Sequence, residues 1–103
     1  MEKIEKLKSF LIHSPGDSFL KHALALEYIK LGDDAEAKKL FLEILERDPA
    51  YIGSYYHLAR LLARTGETEN AKTWYERGLT AAKQAGDIHA YNELQAAYED
   101  FID

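Results

Sequence analysis

Residues 24–45, LALEYIKLGDDAEAKKLFLEIL, and residues 58–79, LARLLARTGETENAKTWYERGL, are two copies of one pattern set 34 positions apart. Identity across the copies holds at Leu24 and Leu58, Ala25 and Ala59, Gly32 and Gly66, Ala37 and Ala71, Lys38 and Lys72, and Leu45 and Leu79. Lys30 with Arg64, Asp33 with Glu67, and Phe41 with Tyr75 are conservative matches. A period of this length is the mark of a stacked array, in which each unit buries its apolar face on a neighbour.

The spacing inside each copy is helical. Leu24, Tyr28 and Leu31 recur on one face, as do Leu40, Phe41, Ile44 and Leu45, so each unit reads as two helices. Gly32 and Gly66 are each followed by an acidic residue, which suits a left-handed C′ position and then the N-terminal end of the next helix. Asp48-Pro49 separates the units, since proline stops one helix and permits another to start. Working outward, Leu7, Phe10, Leu11 and Pro15 lie 34 before Phe41, Ile44, Leu45 and Pro49, which makes the first segment a second-type helix of a half unit. A shift of 36 sets Tyr91 on Tyr55, Leu94 on Leu58 and Tyr98 on Leu62, so the last segment is a first-type helix after a short insertion around Gln84 to Asp87. The expectation is an all-α chain with helices over 2–13, 18–31, 34–47, 52–65, 68–84 and 88–102.

These residues resemble the tetratricopeptide repeat family. Its pattern appears as Leu24-Ala25, Tyr28, Gly32, Ala37, Phe41, Ile44 and Pro49, and again as Tyr55, Leu58-Ala59, Leu62, Gly66, Ala71, Tyr75 and Gly78. Two positions depart from it: Ile44 is larger than the usual small residue, and Lys83 replaces the closing proline, so the second unit's last helix should run on towards Ala85. The resemblance covers residues 18–83 and implies a short right-handed α–α superhelix of about six antiparallel helices. The expected layout is a single domain over 1–103, with a capping half repeat at 1–15, repeats at 18–51 and 52–85, and a second cap at 88–103. Ala25 and Ala37, like Ala59 and Ala71, should sit where the two helices of a unit cross closely.

Composition narrows the function. The chain has 103 residues, 47% of them hydrophobic, and no cysteine, which removes disulfides, thiolate metal sites and cysteine nucleophiles. Its first residues lack the basic and then apolar pattern of a secretory signal, and a cytoplasmic setting is expected. No apolar run approaches the roughly 20 residues needed to cross a bilayer, so no membrane partner is expected. With 13 basic and 18 acidic residues the formal charge is −5, and beyond Lys83 there is no Lys or Arg. That balance offers phosphate no broad basic face, so no nucleic-acid partner is expected either. His22 and His57 stand nearly one period apart but lack a third ligand, and they read as surface or groove imidazoles, with no metal or cofactor implied. Ser18, Ser54 and Thr80 have no identifiable base, and the paired carboxylates sit at helix ends where the macrodipole accounts for them. An enzyme is not expected.

The family resemblance implies instead a non-catalytic interaction module, with the first-type helices forming a concave wall that a partner polypeptide enters. The positions not used for packing are Phe19, His22, Leu26, Ile29 and Lys30 in the first repeat and Gly53, Tyr56, Arg60, Ala63 and Arg64 in the second, with His89, Asn92 and Gln95 as approximate continuations. Phe19, Leu26 and Ile29 make an apolar strip beside the basic residues Lys30, Arg60 and Arg64. A peptide with apolar anchors and an acidic group or carboxylate is the expected ligand, since arginine grips carboxylate with two donors. Against this stands pairing of the same cations with Glu27 or Glu67 on their own surface. Some members of the family hold a C-terminal carboxylate with Lys and Asn, but His22 and Leu26 stand at those places, which argues against recognition of that kind. A homodimer that covers the groove or the last helix is the alternative.

Overall fold

Three Gly-acid dipeptides set the helix boundaries. Gly32, Gly66 and Gly86 have φ of 86°, 86° and 69°, a left-handed region in which a side chain is strained. At each, the chain closes the helix with a pair of reversed hydrogen bonds. Gly32 N–H donates to the Ile29 carbonyl at 3.0 Å and Asp33 N–H to that of Tyr28 at 2.9 Å. Gly66 and Glu67 repeat the pair on Ala63 and Leu62 at 3.3 and 2.8 Å, and Gly86 and Asp87 on Lys83 and Ala82 at 3.1 and 2.9 Å. At two of the three the acid that follows then caps the next helix, while Glu67 stands at the start of its helix without a side-chain capping bond. Asp33 accepts the Glu36 N–H at 3.2 Å and Asp87 that of Ala90 at 3.0 Å, as Asp17 does for Leu20.

The computed structural model describes residues 2–103; Met1, where the expected N-terminal cap begins, lies outside them. Among the described residues the regular structure is six helices: α1 (Glu2–His13), α2 (Ser18–Leu31), α3 (Asp34–Arg47), α4 (Gly53–Arg64), α5 (Thr68–Ala85) and α6 (Ile88–Ile102). The expected bounds hold for four of them, α4 is one residue shorter at each end, and α5 reaches Ala85 as the missing proline predicted. The chain forms two compact units, 1–48 and 49–103, divided at the Asp48-Pro49 turn.

In the first unit α2 packs on both α1 and α3. Its core is Ile4, Leu24, Ala25, Tyr28, Ala37, Leu40, Phe41, Ile44 and Leu45, with Ala25, Ala37 and Phe41 wholly buried. The Lys8 ammonium lies 5.7 Å from the centroid of the Tyr28 ring and helps seat α1. Phe10, which aligns with the buried Ile44, is instead 54% exposed. Within this unit α1 is gripped chiefly from the α2 side, and one contact face cannot cover both flanks of a helix.

In the second unit α4, α5 and α6 all touch one another. α4 starts without a capping side chain; Tyr55 ties the entrance instead, its hydroxyl donating to the Pro49 carbonyl at 2.6 Å. Leu58, Ala59, Leu62, Ala71, Ala82 and Leu94 are buried, and Leu94 fills in α6 the role that Leu58 fills in α4. Trp74, which aligns with the buried Leu40 of the first repeat, is half-buried, tilted on Tyr55 at 6.0 Å and capped by the Arg77 guanidinium at 4.8 Å.

Gly78 is the tightest point. A Cβ there would fall 2.7 Å from Tyr55 Cβ on α4 and 3.3 Å from Leu94 Cδ1 on α6. Gly78→Ala therefore sets two effects against each other: a helix-propensity gain of about 1 kcal/mol and an overpacking cost of about 1–3 kcal/mol. Tyr55 Cβ is close to the backbone and cannot swing aside, so the expected outcome is net destabilisation, read as a lower urea midpoint at unchanged m-value.

Candidate functional site

On α2 the expected contact residues separate into two kinds. Phe19 is 69% exposed, whereas Leu26 and Ile29 are half-buried. His22 is drawn into the α2–α3 packing, its ring edge-on to Phe41 at a centroid distance of 5.6 Å. Lys30 Nζ lies 3.2 Å from Glu27 Oε2, so this cation is paired on its own helix. Exposed as it is, that pair is worth little and can be exchanged for another carboxylate.

The second unit brings its expected residues together. Tyr56, Arg60 and Arg64 recur at one-turn spacing along α4 and share a cleft of about 520 Å³ with Ala63, with Tyr75 of α5, and with Ala97, Asp100 and Phe101 of α6. Arg60 Nη1 donates to the Tyr56 hydroxyl at 3.1 Å, and its guanidinium carbon is 5.6 Å from that ring's centroid. A guanidinium held in this way loses less freedom when it grips a ligand. Tyr75 meets Phe101 at 5.4 Å and Tyr98 at 5.7 Å, which gives the cleft an aromatic side. Burial pushes the Tyr75 phenol above its ordinary value; Arg60 pulls it back, while Tyr56 and Asp100 push it further up. Charges of both signs therefore act on one hydroxyl at the cleft.

The contribution of α6 differs from expectation. His89 and Asn92 are exposed and Gln95 donates to Glu99 at 2.9 Å, while the cleft is lined by Ala97, Asp100 and Phe101. The signal was present: the 36-residue shift that sets Leu94 on Leu58 also sets Asp100 on Arg64. Tyr75, assigned to packing by its repeat position, does both jobs, since a buried ring carries a polar tip. A smaller apolar hollow of about 330 Å³ lies at the α5–α6 turn against Ala82, Gly86, Ile88 and Tyr91. Among the described residues no group of three or more His, Cys, Asp or Glu side chains is placed to hold a metal ion, and no helix is long and apolar enough to cross a membrane.

The profile of the family described as tetratricopeptide repeat matches residues 28–98. The crystal structure of a tetratricopeptide repeat domain protein from Salinibacter ruber is 38% identical, covers 82% of this chain and 94% of its own, and superposes with a TM-score of 0.79. The solution structure of a Bordetella parapertussis protein is 25% identical over 96% of this chain and 86% of its own, with a TM-score of 0.82. The first tetratricopeptide repeat domain of Spaghetti (RPAP3), bound to the HSP90 peptide SRMEEVD, is 21% identical, covers 97% of this chain and 78% of its own, and has a TM-score of 0.75; that likeness carries the fold. No functionally curated protein matches the chain.

Beside the cleft, His57 is half-buried with its ring edge-on to Tyr56 at 5.4 Å. Burial holds its pKa below the ordinary 6.5; Glu93 opposes that shift and Arg60 adds to it. The unfolded chain therefore binds the proton more readily in the window below pH 6.5. Stability should be undiminished by this group above that pH and should fall as the pH drops towards the folded value. Thermal unfolding between pH 7.5 and 5.5 checks this: the loss on acidification should be smaller in His57→Gln than in the parent.

Proposed function

The chain belongs to the tetratricopeptide repeat family, and from that premise we propose that the cleft of its second unit binds a peptide segment of a partner protein through an acidic side chain and a neighbouring apolar anchor. The family's fold is generally a non-catalytic one that binds proteins or peptides. The observation that carries the finer reading is the convergence of Arg60 and Arg64 with Tyr56, Tyr75 and Phe101 on one cleft. Two guanidinium groups beside aromatic surface offer a carboxylate charge-assisted hydrogen bonds and give an adjoining apolar side chain somewhere to be buried. On the first unit the same reading assigns partner contacts to Phe19, His22, Leu26, Ile29 and Lys30 along α2, where Lys30 would exchange Glu27 for a carboxylate of the partner. The acidic peptide on the Spaghetti domain is a property of that domain and supports this reading by fold alone.

The test is a random-peptide array probed with the purified protein and with the Arg60→Glu, Arg64→Glu double variant. Both arginines are exposed, so helicity should be unchanged by circular dichroism. Captured peptides should be enriched in Asp and Glu next to an apolar residue, and the double reversal should weaken them by about tenfold or more. Capture of basic or wholly apolar peptides at undiminished strength in the variant would sink the reading.

Self-association is a second reading, favoured by Ile88 and Ile102, which are 74% and 57% exposed at the two ends of α6. It predicts a dimer by light scattering at micromolar concentration, and a monomer eliminates it.

A further inference from the structure

Resting on the reading that the cleft takes an acidic segment, we propose that Asp100 is a specificity-determining residue that makes the cleft accept an acidic side chain flanked by a basic one and discriminate against runs of acidic residues. The cleft is not uniformly basic. α4 supplies Arg60 and Arg64, and α6 supplies Asp100 on another wall. Asp100 occupies the repeat position of Arg64, and Arg64 that of Lys30, so one position of the pattern reads positive, positive and then negative along the chain.

Two further observations set Asp100 apart from an ordinary surface acid. Arg60 and Asp100 line the same cleft as Tyr75, and they act on its phenol with opposite sign. Asp100 also lies in the last turn of α6, where there is no basic residue and where the negative end of the helix dipole opposes a carboxylate. Helix stability therefore does not account for it. Its exposure leaves the charge solvated and accessible to a ligand, and the water it sheds on contact offsets part of the gain.

On this proposal a carboxylate seated on the guanidinium side of the cleft carries its neighbour in sequence towards Asp100, which lines the same cleft. A second acid there meets like charge, and an arginine or lysine meets its complement. Because the groups are exposed and screened, the discrimination should be modest, about two- to fivefold.

Fluorescence anisotropy with two end-capped synthetic peptides, Ala-Phe-Glu-Glu-Leu-Ala and Ala-Phe-Glu-Arg-Leu-Ala, tests the proposal at low and high salt. The parent protein should bind the second more tightly. Asp100→Asn should erase most of that preference, chiefly by strengthening the all-acidic peptide, while Asp103→Asn, which removes the same charge from the same helix end, should leave it intact. A parent with no preference, or a preference equal in Asp100→Asn and the parent, overturns the role of Asp100; if the double arginine reversal still abolishes binding, the cleft reading survives. Failure of both peptides to bind the parent at millimolar concentration overturns the reading and the inference together.

Discussion

Close approach of helix backbones at small residues is the constraint on which the rest depends. Ala25, Ala37, Ala59, Ala71 and Ala82 are wholly buried, and at Gly78 there is no room even for a methyl group. Larger side chains would hold the helices apart and leave Phe41, Ile44, Leu58 and Leu62 facing voids that a protein interior does not tolerate. In the second unit the requirement is stricter, because α5 is approached from two sides. Tyr55 of α4 and Leu94 of α6 converge on Gly78, and that convergence seats α6. The repeat position that holds Gly78 holds Ile44 in the first unit, so the same slot can be filled by a side chain of its own helix or left empty for those of others.

Where helices stop is set by a different and more local device, and it was the more legible of the two. Gly32-Asp33 and Gly66-Glu67 announce a left-handed closure followed by an acidic start; both close so, but only Asp33 goes on to cap the next helix with its side chain. Gly86-Asp87 uses the same chemistry, but the 34-residue period does not point to it, since it sits inside the insertion that shifts the last helix. The left-handed closures were thus legible from local turn chemistry, whereas the uncapped start of α4 was not. Phe10 shows the opposite limit: its repeat position says buried, yet burial needs a neighbour on the correct flank, and periodicity names the face of a helix without naming what covers it.

The cleft was legible on one wall and not on the others. Tyr56, Arg60 and Arg64 follow from the spacing of packing residues on α4, because whatever does not pack must point away. Tyr75 was hidden by its own success as a core residue: the ring is held among Tyr98 and Phe101 while its hydroxyl remains sensitive to Arg60 and Asp100. Asp100 and Phe101 belong to the part of α6 beyond the residues used to fix its register, and register taken from Tyr91, Leu94 and Tyr98 had to be extended to reach them. The scaffold and the site are therefore one structure. The contact that seats α6 on Gly78 also brings an acid and an aromatic ring beside two arginines.

The distribution of charge explains why such a cleft must discriminate at short range. The chain carries a formal −5, and beyond Lys83 it has no Lys or Arg, so Arg60 and Arg64 act within a molecule whose overall field repels acids. That repulsion is felt over about a Debye length, roughly 8 Å at physiological salt, whereas direct contacts with a guanidinium are screened much less. Long-range steering cannot favour an acidic partner here, and whatever preference the cleft has must come from the geometry of its own groups. Arg60, fixed by the Tyr56 hydroxyl and ring, supplies that geometry on the basic side. On the acidic side it falls to a carboxylate carried by α6, whose position follows from how tightly three helices close around a glycine.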